Sequence, residues 1–474
     1  MIQNSTSNNL LNTDLFLFIA YISVLLFLGW KARQKSPSQE EYLLSSRSLS
    51  LPSLVATLVT TWYGGILGVG EFIYTTGVSA WVIFGIPYYF FAILFALFIA
   101  PKIRQAKYIS IPDLLYKNFG NLAGLLGSLF ILFITSPAPY ILITGVLISY
   151  MLNIPLLFSV IGATLFSIIY LFKGGFNSVV QTDKFQFILM FGGFILLFVF
   201  LVNQFGNPIN QFSQLSQNHQ SLSGGLSFQN MLVWFFIASW TFIDPGFHQR
   251  TAAAKNPATA KKAILVSILF WFVFDMLTLW TGIYATNILT NADPIMIYPL
   301  IAEQVLPPVL KGIFILALLA TAMSTVDSFS FLSAQTFGRD IIAFWNKKDS
   351  DKEVEHYTQL GLLLTAIIAL LLIWLFPSVV SLWYNLGSLF IPPLLIPVLS
   401  AVNPKFRLAG RHVVIIMLSG FLTSAAWFIF GAFNGFDYPM ELEPFIPGLV
   451  VSILLFVGFK INDKLKGLTH NQEQ

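Results

Sequence analysis

The sequence predicts an all-α integral membrane protein with thirteen transmembrane helices. Of its 474 residues, 56% are hydrophobic and only 10% are charged, whereas soluble domains carry about 25% charged residues. The apolar residues are spread over the whole chain, in stretches close to the roughly 20 residues that a helix needs to cross a bilayer. The Lys and Arg residues fall at alternate ends of these stretches, which is the pattern of a polytopic protein.

The thirteen predicted spans are separated by polar loops. They cover residues 11–31, 51–75, 79–101, 121–151, 155–172, 177–203, 229–247, 263–289, 308–337, 357–376, 379–402, 412–433 and 445–462. The first is interpreted as a span and not as a secretory signal, because basic residues follow it and no small-residue cleavage pattern is present. No loop is long enough to fold separately, so residues 1–474 are expected to form one transmembrane domain.

The distribution of basic residues predicts the orientation. With the N-terminus outside, all of the 25 Lys and Arg residues except Lys311 lie at the inner ends of spans or in inner loops. The long outer loop 204–228 contains neither Lys nor Arg. Adding or removing one span would invert half of this pattern. We therefore expect a multi-pass protein of the cell membrane with its N-terminus outside and its C-terminus in the cytoplasm.

Composition also excludes several functions. The absence of Cys excludes disulfides, thiolate metal sites and cysteine nucleophiles. The five His residues lie mostly in or beside polar loops, which argues against a histidine metal centre. A net charge of +4 indicates no nucleic-acid surface. Since the sequence also shows no nucleophile with a base, no zinc spacing and no phosphate loop, it does not predict an enzyme.

Two spans carry interruptions at membrane depth. Span 2 contains the adjacent glycines Gly64 and Gly65, and span 7 contains Asp244, Pro245 and Gly246. Glycine and proline weaken a helix in a place where unpaired backbone groups are costly. An opened span 2 would expose carbonyl oxygens to a cation, although close helix packing is the alternative role for its glycines.

The positions of the two interrupted spans predict an internal repeat. The spans are five apart in order and opposite in orientation, and corresponding breaks of this kind indicate an inverted-repeat transporter. The predicted core consists of two five-helix repeats, with one extra helix before it and two after it. These units cover residues 11–31, 51–203, 229–402 and 412–462.

Span 9 carries the densest group of polar residues. Thr321, Ser324, Thr325 and Ser328 follow the i, i+3, i+4, i+7 spacing and share one helix face, with Asp327 beside it. Hydroxyl side chains in such helices often bond to their own backbone carbonyls. A carboxylate within a span costs about 2.5–3.5 kcal/mol to insert, so Asp327 requires a partner, a cation or a proton.

Two further carboxylates lie within spans. Asp183 in span 6 is expected in the inner half of the membrane, where it either converges with Asp327 or pairs near the interface with Lys184 or with a basic residue of a loop. Asp275 lies near the middle of span 8. Three roles remain open for it: a proton carrier, an anchor for a cationic group of a solute, or a protonated acid satisfied by a neighbouring helix.

Four passages of the chain carry a family resemblance. They are the Gly-rich span 2 with its entry at 45–52, and the passages at 174–186, 244–255 and 320–328. In these passages the sequence resembles the sodium/solute symporter family, whose members carry proline, sugars and other small solutes with sodium. The resemblance implies a leucine-transporter-like fold.

The resemblance also implies which residues bind ions. The sodium site of the family uses backbone oxygens of the second span together with carbonyl and hydroxyl oxygens of the ninth. Here these fall on Thr60, Tyr63, Thr321, Ser324 and Thr325. Some members have a second ion site near the inner end of the ninth span. The matching positions, for a cation or a proton, are Ser324 with Asp183, Asp327 and Ser328.

Substrate contacts are implied by position in the same way. The matching residues are Trp62, Gly65, Leu67, Trp240, Thr241, Trp383 and Asn385. The fourth span contains no Arg, so an arginine that clamps a substrate carboxylate there is not expected. This favours a neutral or zwitterionic solute.

The sequence therefore predicts sodium-coupled uptake of a small organic solute by alternating access. Sodium is the only metal expected and acts as the coupling ion, without a further cofactor. The alternative within transport is proton coupling through Asp183, Asp275 and Asp327. A membrane-embedded enzyme and a passive channel are weaker alternatives. The expected partners are sodium, the solute and the lipid bilayer, without nucleic acid, and the oligomeric state stays open.

Overall fold

The chain is built of helices throughout the part that the structure describes. The structure is a computed structural model that describes residues 2–33, 38–347, 350–436 and 438–470. Within these ranges the β-structure is limited to one isolated bridge between Leu49 and Ala254. The predicted all-α class is thus confirmed.

The helices are numbered here in chain order. The first half contains α1 Ile2–Lys31, α2 Gln39–Leu44, α3 Leu51–Trp62, α4 Ile66–Thr76, α5 Ser79–Phe84, α6 Ile86–Leu94, α7 Ala100–Ala106, α8 Ile111–Phe119, α9 Asn121–Ile134, α10 Ala138–Leu152 and α11 Leu156–Phe205. The second half contains α12 Pro208–Ser213, α13 Gln217–Gln220, α14 Phe228–Ile237, α15 Pro245–Ala253, α16 Pro257–Ile288, α17 Ile297–Val305, α18 Pro308–Gln335, α19 Phe344–Asn346, α20 Asp351–Leu375, α21 Val379–Val402, α22 Gly410–Phe433 and α23 Phe445–His470.

Ten helices of the described part are long and apolar enough to cross a membrane. They are Thr13–Lys31, Ser79–Ala106, Asn121–Leu152, Gly174–Phe205, Pro257–Ile288, Pro308–Asn346, Asp351–Leu375, Ser381–Val402, Gly410–Phe433 and Phe445–Leu465. The pair α3 and α4 passes the same test together, although it bends by 56°. The chain is therefore a multi-pass membrane protein. Two predicted spans appear in other forms: 155–172 as the shorter apolar helix Leu156–Ile169, and 229–247 as the separate helices α14 and α15.

Helix α18 lies at the centre of the bundle. Every residue from Phe314 to Gln335 is buried, and a helix that is buried on all sides belongs to the interior of a bundle. Small residues allow its neighbours to approach closely. A Cβ at Gly193 of α11 would lie 2.3 Å from the Cβ of Ala317, and one at Gly361 of α20 would lie 2.4 Å from the carbonyl oxygen of Ala334. The polar stripe of span 9 thus lies inside the protein, where its hydroxyls face other helices.

The turn between the two spans of α11 depends on Gly175. This residue has φ +55°, and a Cβ there would lie 2.5 Å from the carbonyl oxygen of Tyr42. A residue with a side chain would therefore be strained by its backbone conformation and by a clash with backbone.

We predict that Gly175→Ala lowers the stability of the purified protein in detergent by about 1–3 kcal/mol, measured by thermal unfolding. Gly192→Ala in the same helix is the matched control, because Gly192 has nothing within 4 Å of an added Cβ. It should leave the midpoint unchanged or raise it slightly. Equal effects of the two substitutions would show that the turn at Gly175 is not constrained.

Candidate functional site

The second predicted span is broken where the sequence places its paired glycines. The last backbone hydrogen bond of α3 is a long one, from Tyr63 N to the Thr60 carbonyl at 3.3 Å, and the first of α4 runs from Val69 N to the Gly65 carbonyl at 3.1 Å. The carbonyl groups of residues 61–64 lie between these two ladders. Such oxygens are costly in a membrane interior unless they bind a donor or a cation.

The break lies directly against α18. The Thr325 hydroxyl donates a 2.8 Å hydrogen bond to the carbonyl oxygen of Thr61. A Cβ at Gly64 would lie 2.2 Å from the Thr325 Oγ1 atom, so only glycine allows the two backbones to approach this closely. Thr60, Thr321 and Thr325 are all fully buried here. The structure thus places the break of the second span against the ninth span, at Thr61, Gly64 and Thr325.

The hydroxyl groups of the predicted ligands have different partners. Thr60 and Thr321 bond to their own helices, at the carbonyls of Ala56 and Ala317 over 2.8 and 2.7 Å. Their side chains are therefore occupied, which leaves backbone oxygens as their possible contribution. Ser324 instead donates to the Asp183 carboxylate at 2.6 Å.

A buried arginine connects the same three helices. The Arg250 guanidinium, 1% exposed, lies 3.6 Å from the Asp183 carboxylate. It donates to the hydroxyls of Thr61 at 2.6 Å, Ser328 at 2.8 Å and Thr57 at 3.0 Å. Thr57 also bonds to the Asp183 carboxylate. Asp183 therefore pairs with Arg250, and Lys184, the other partner considered for it, bonds to Gln181 instead.

Arg250 occupies the neighbourhood in which the sequence suggested a second cation or proton site. Of the predicted residues, Asp183 and Ser328 contact its guanidinium, and Asp327 is buried nearby in α18. Sequence reasoning did not assign a role to Arg250. One signal was available in the sequence: Arg250 is a charged residue three positions after Phe247, at the end of an interrupted span. Charged residues within spans are candidates for a functional role by default.

A cavity of about 160 Å³ begins at the break and extends toward the far end of α4. Its walls are mostly aromatic, with Trp62, Tyr88, Tyr140, Trp240, Phe247 and Trp383 among them. Ionisable groups on the wall include Asp244, Arg250 and Asp275. An enclosed apolar space with a few polar groups is the usual form of a small-molecule site.

Four of the seven predicted substrate contacts line this cavity. They are Trp62, Gly65, Trp240 and Trp383. Gly65 is required there because a Cβ would lie 1.9 Å from the Trp383 indole. The cavity wall does not include Leu67, Thr241 and Asn385. Leu67 and Thr241 are fully buried, and the Thr241 hydroxyl bonds to the Ala238 carbonyl at 2.9 Å.

The chain that enters α3 is hydrogen-bonded to the segment at the end of α15. Leu49 donates to the Ala253 carbonyl and accepts from Lys255 N, both at 3.1 Å. Arg47 donates to the Ala252 carbonyl at 3.1 Å. These bonds join the entry to α3 with the chain between α15 and α16.

Comparisons with known proteins identify a family that matches most of the chain. Residues 42–405 match the model of the sodium:solute symporter family. The high-affinity proline transporter PutP of Bacillus subtilis is 24% identical over 461 residues, covering 91% of this chain and 94% of that protein. The sodium/glucose cotransporter of Vibrio parahaemolyticus is 26% identical over 417 residues, covering 76% and 74%. A substrate-bound, outward-open structure of a Na+-coupled sialic acid symporter superposes with a TM-score of 0.81 at 18% identity, covering 96% of this chain and 97% of that one.

We predict that the double variant Asp183→Asn with Arg250→Gln is destabilised by less than the sum of the destabilisations of the two single variants. Each single substitution leaves a buried charge without its partner, at a cost of about 3–5 kcal/mol, whereas the double variant removes both charges. Thermal unfolding of the four proteins gives the coupling energy.

Lys184→Gln serves as the control because it removes a neighbouring charge that does not contact Asp183, and it should unfold like the wild type. Additive effects of Asp183→Asn and Arg250→Gln would contradict the pairing of these two residues.

Proposed function

The chain belongs to the sodium:solute symporter family and carries a small solute together with sodium, and we propose that the sodium ion binds between the break of span 2 and α18. The proposed ligands are the backbone oxygens of Thr60, Tyr63 and Thr321 and the hydroxyl oxygens of Ser324 and Thr325. Carbonyl and hydroxyl oxygens suit a small hard cation. No cofactor beyond the ion is proposed.

The observation that carries this proposal is the direction of the two hydroxyl hydrogens. Ser324 gives its hydrogen to Asp183 at 2.6 Å, and Thr325 gives its hydrogen to the Thr61 carbonyl at 2.8 Å. A hydroxyl has one hydrogen and two lone pairs. Since both hydrogens are used, the lone pairs of both oxygens remain for a cation. Asp183 thereby orients the site without being a ligand itself.

The location of this site explains how ion and solute are coupled. Residues of the same break contribute to both regions: Thr61 contacts α18, while Trp62 and Gly65 line the cavity. An ion that orders the break therefore also orders the cavity wall. By linkage, the solute must then raise the affinity for sodium by the factor by which sodium raises the affinity for the solute.

We further propose that the solute occupies the aromatic cavity. Its size supports this, because a cavity of about 150 Å³ accommodates a molecule such as benzene, and this one measures about 160 Å³. The hydroxyl of Tyr384 is buried on its wall without a hydrogen-bond partner in the described part of the chain. Solute release to the other side requires the contacts of Leu49 and Arg47 to open, which makes them the inner gate of an alternating-access cycle.

For the second predicted ion site, we infer that the positive charge comes from the protein itself, through the side chain of Arg250. The 3.6 Å separation of Arg250 from Asp183 and its 2.8 Å bond to Ser328 support the view that its guanidinium takes the place of a second ion. A sodium ion there would have to displace a buried, hydrogen-bonded charge, which is costly. One sodium ion per solute is the stoichiometry that this arrangement favours.

The finer architecture is part of the proposal. The count is thirteen transmembrane segments when α3 and α4 form one span, α14 and α15 form one span, and the two parts of α11 form two spans. We propose that 51–203 and 229–402 are inverted repeats, with their breaks at Gly64 and Asp244. The proposed orientation has the N-terminus outside and the C-terminus in the cytoplasm of the cell, as the positions of the basic residues favour.

We predict that Ser324→Ala combined with Thr325→Ala raises the sodium concentration for half-maximal uptake at least about tenfold, which is about 1.4 kcal/mol or more of lost ion binding. The reason is the loss of two oxygen ligands. Uptake is measured in proteoliposomes with sodium replaced in steps by potassium. Thr336→Ala is the matched control, because within the described residues this hydroxyl bonds to the Leu332 carbonyl of α18, at 2.9 Å, and to no other group.

An unchanged sodium dependence of the double variant would remove the two hydroxyls from the site. Uptake by the wild type that persists in potassium and collapses with a protonophore would instead favour proton coupling.

A further inference from the structure

Asp275 is the one carboxylate on the cavity wall that the proposed function does not use. Asp244 caps the N-terminus of α15, where it accepts a 2.7 Å bond from Phe247 N. Arg250 is engaged by Asp183 and hydroxyl groups. Asp275 has no Lys, Arg or His nitrogen within 4.0 Å among the described residues.

Neutral donors from two other helices hold this carboxylate in place. One oxygen lies 2.7 Å from the hydroxyl of Tyr63, at the break of span 2. The other accepts a bond from the hydroxyl of Tyr89 in α6, which is itself fixed by the indole N–H of Trp81 at 3.2 Å. The carboxylate is therefore oriented from two sides and remains at the cavity wall.

These donors do not neutralise it. The single hydroxyl hydrogen of Tyr63 is shared, since the oxygen also lies 2.9 Å from the Trp271 carbonyl. A carboxylate at membrane depth with incomplete hydrogen bonding and no protein cation is expensive. A positively charged group in the cavity would remove that cost.

The surrounding aromatic rings suit the same kind of group. Trp62 lies on the cavity wall with its ring centroid 4.7 Å from that of Tyr88, 5.3 Å from Trp271 and 5.7 Å from Phe247. Ring faces attract cations, most strongly when water is excluded, and alkylated ammonium groups are recognised in this way. Sugars, by contrast, require several hydrogen-bonding groups, whereas this wall is mainly apolar.

From this arrangement we propose that the cavity binds solutes that carry an alkylated, positively charged nitrogen, with Asp275 as its counter-charge and Trp62 as its main aromatic face. The proposal rests on the proposed function because it assigns the solute of that cavity. It decides between the three roles that the sequence left open for Asp275. The class includes free cations such as choline and zwitterions such as glycine betaine and L-proline, and the test separates them.

The test measures binding to the purified full-length protein at constant sodium, using choline, glycine betaine, L-proline and glucose as probes in calorimetric titrations. At least one of the three nitrogen compounds should bind, and glucose should not. Asp275→Asn keeps the shape of the side chain, removes its charge and replaces one acceptor oxygen by an NH2 donor, and it should weaken that binding at least about 100-fold. Choline alone would indicate a site for cations, and betaine or proline alone a site for zwitterions.

Two controls keep the result interpretable. Asp275→Asn should retain the stabilisation by sodium, because Asp275 contacts the hydroxyl of Tyr63 and not the backbone oxygen proposed as an ion ligand; absence of that stabilisation in the wild type would count against the proposed ion site and not against this inference. Should Asp275→Asn fail to fold, Trp62→Leu supplies the second variant, with an expected loss of about tenfold or more. Binding of glucose alone, binding of none of the nitrogen compounds, or unchanged affinity in the folded variants would overturn the inference.

Discussion

The contact between the broken second span and α18 is the interaction on which the rest of the structure depends. It consists of two hydrogen bonds, from Thr325 to the Thr61 carbonyl and between the hydroxyls of Thr61 and Ser328, and of a backbone approach that leaves no room for a Cβ at Gly64. The oxygens proposed for sodium lie on one side of this contact, and the walls of the cavity begin on the other. Because a few residues serve both, the affinity for the ion and the affinity for the solute depend on the same backbone conformation.

Charges at membrane depth follow a consistent pattern around this contact. Asp183 and Arg250 neutralise each other, and hydroxyl groups of two helices, α3 and α18, form hydrogen bonds with them. Asp244 is used as a helix cap. Asp275 has neutral partners only, and it lies where a solute would be. In the proposal above, the Asp275 carboxylate is the charge that a ligand balances, which is a simple basis for selecting positively charged nitrogen.

Sequence alone predicts the helical class, the break at Gly64 and the meeting of spans 2 and 9, because these depend on composition, glycine placement and the spacing of hydroxyl residues. It is less successful for single side chains. Neighbouring residues on a helix differ by about 100° in direction, which is why Gly65 and Trp240 line the cavity while Leu67 and Thr241 do not. The position of Arg250 depends on contacts with three distant helices, and no local pattern contains that information.

The most direct test of the account is an experimental structure determined with saturating sodium. We predict one ion peak, within coordination distance of the Thr60, Tyr63 and Thr321 carbonyls and the Ser324 and Thr325 hydroxyls, with Arg250 still paired with Asp183. An ion that lies elsewhere, a second ion in the place of the guanidinium, or a sodium-saturated protein with no ion between the break and α18 would contradict it.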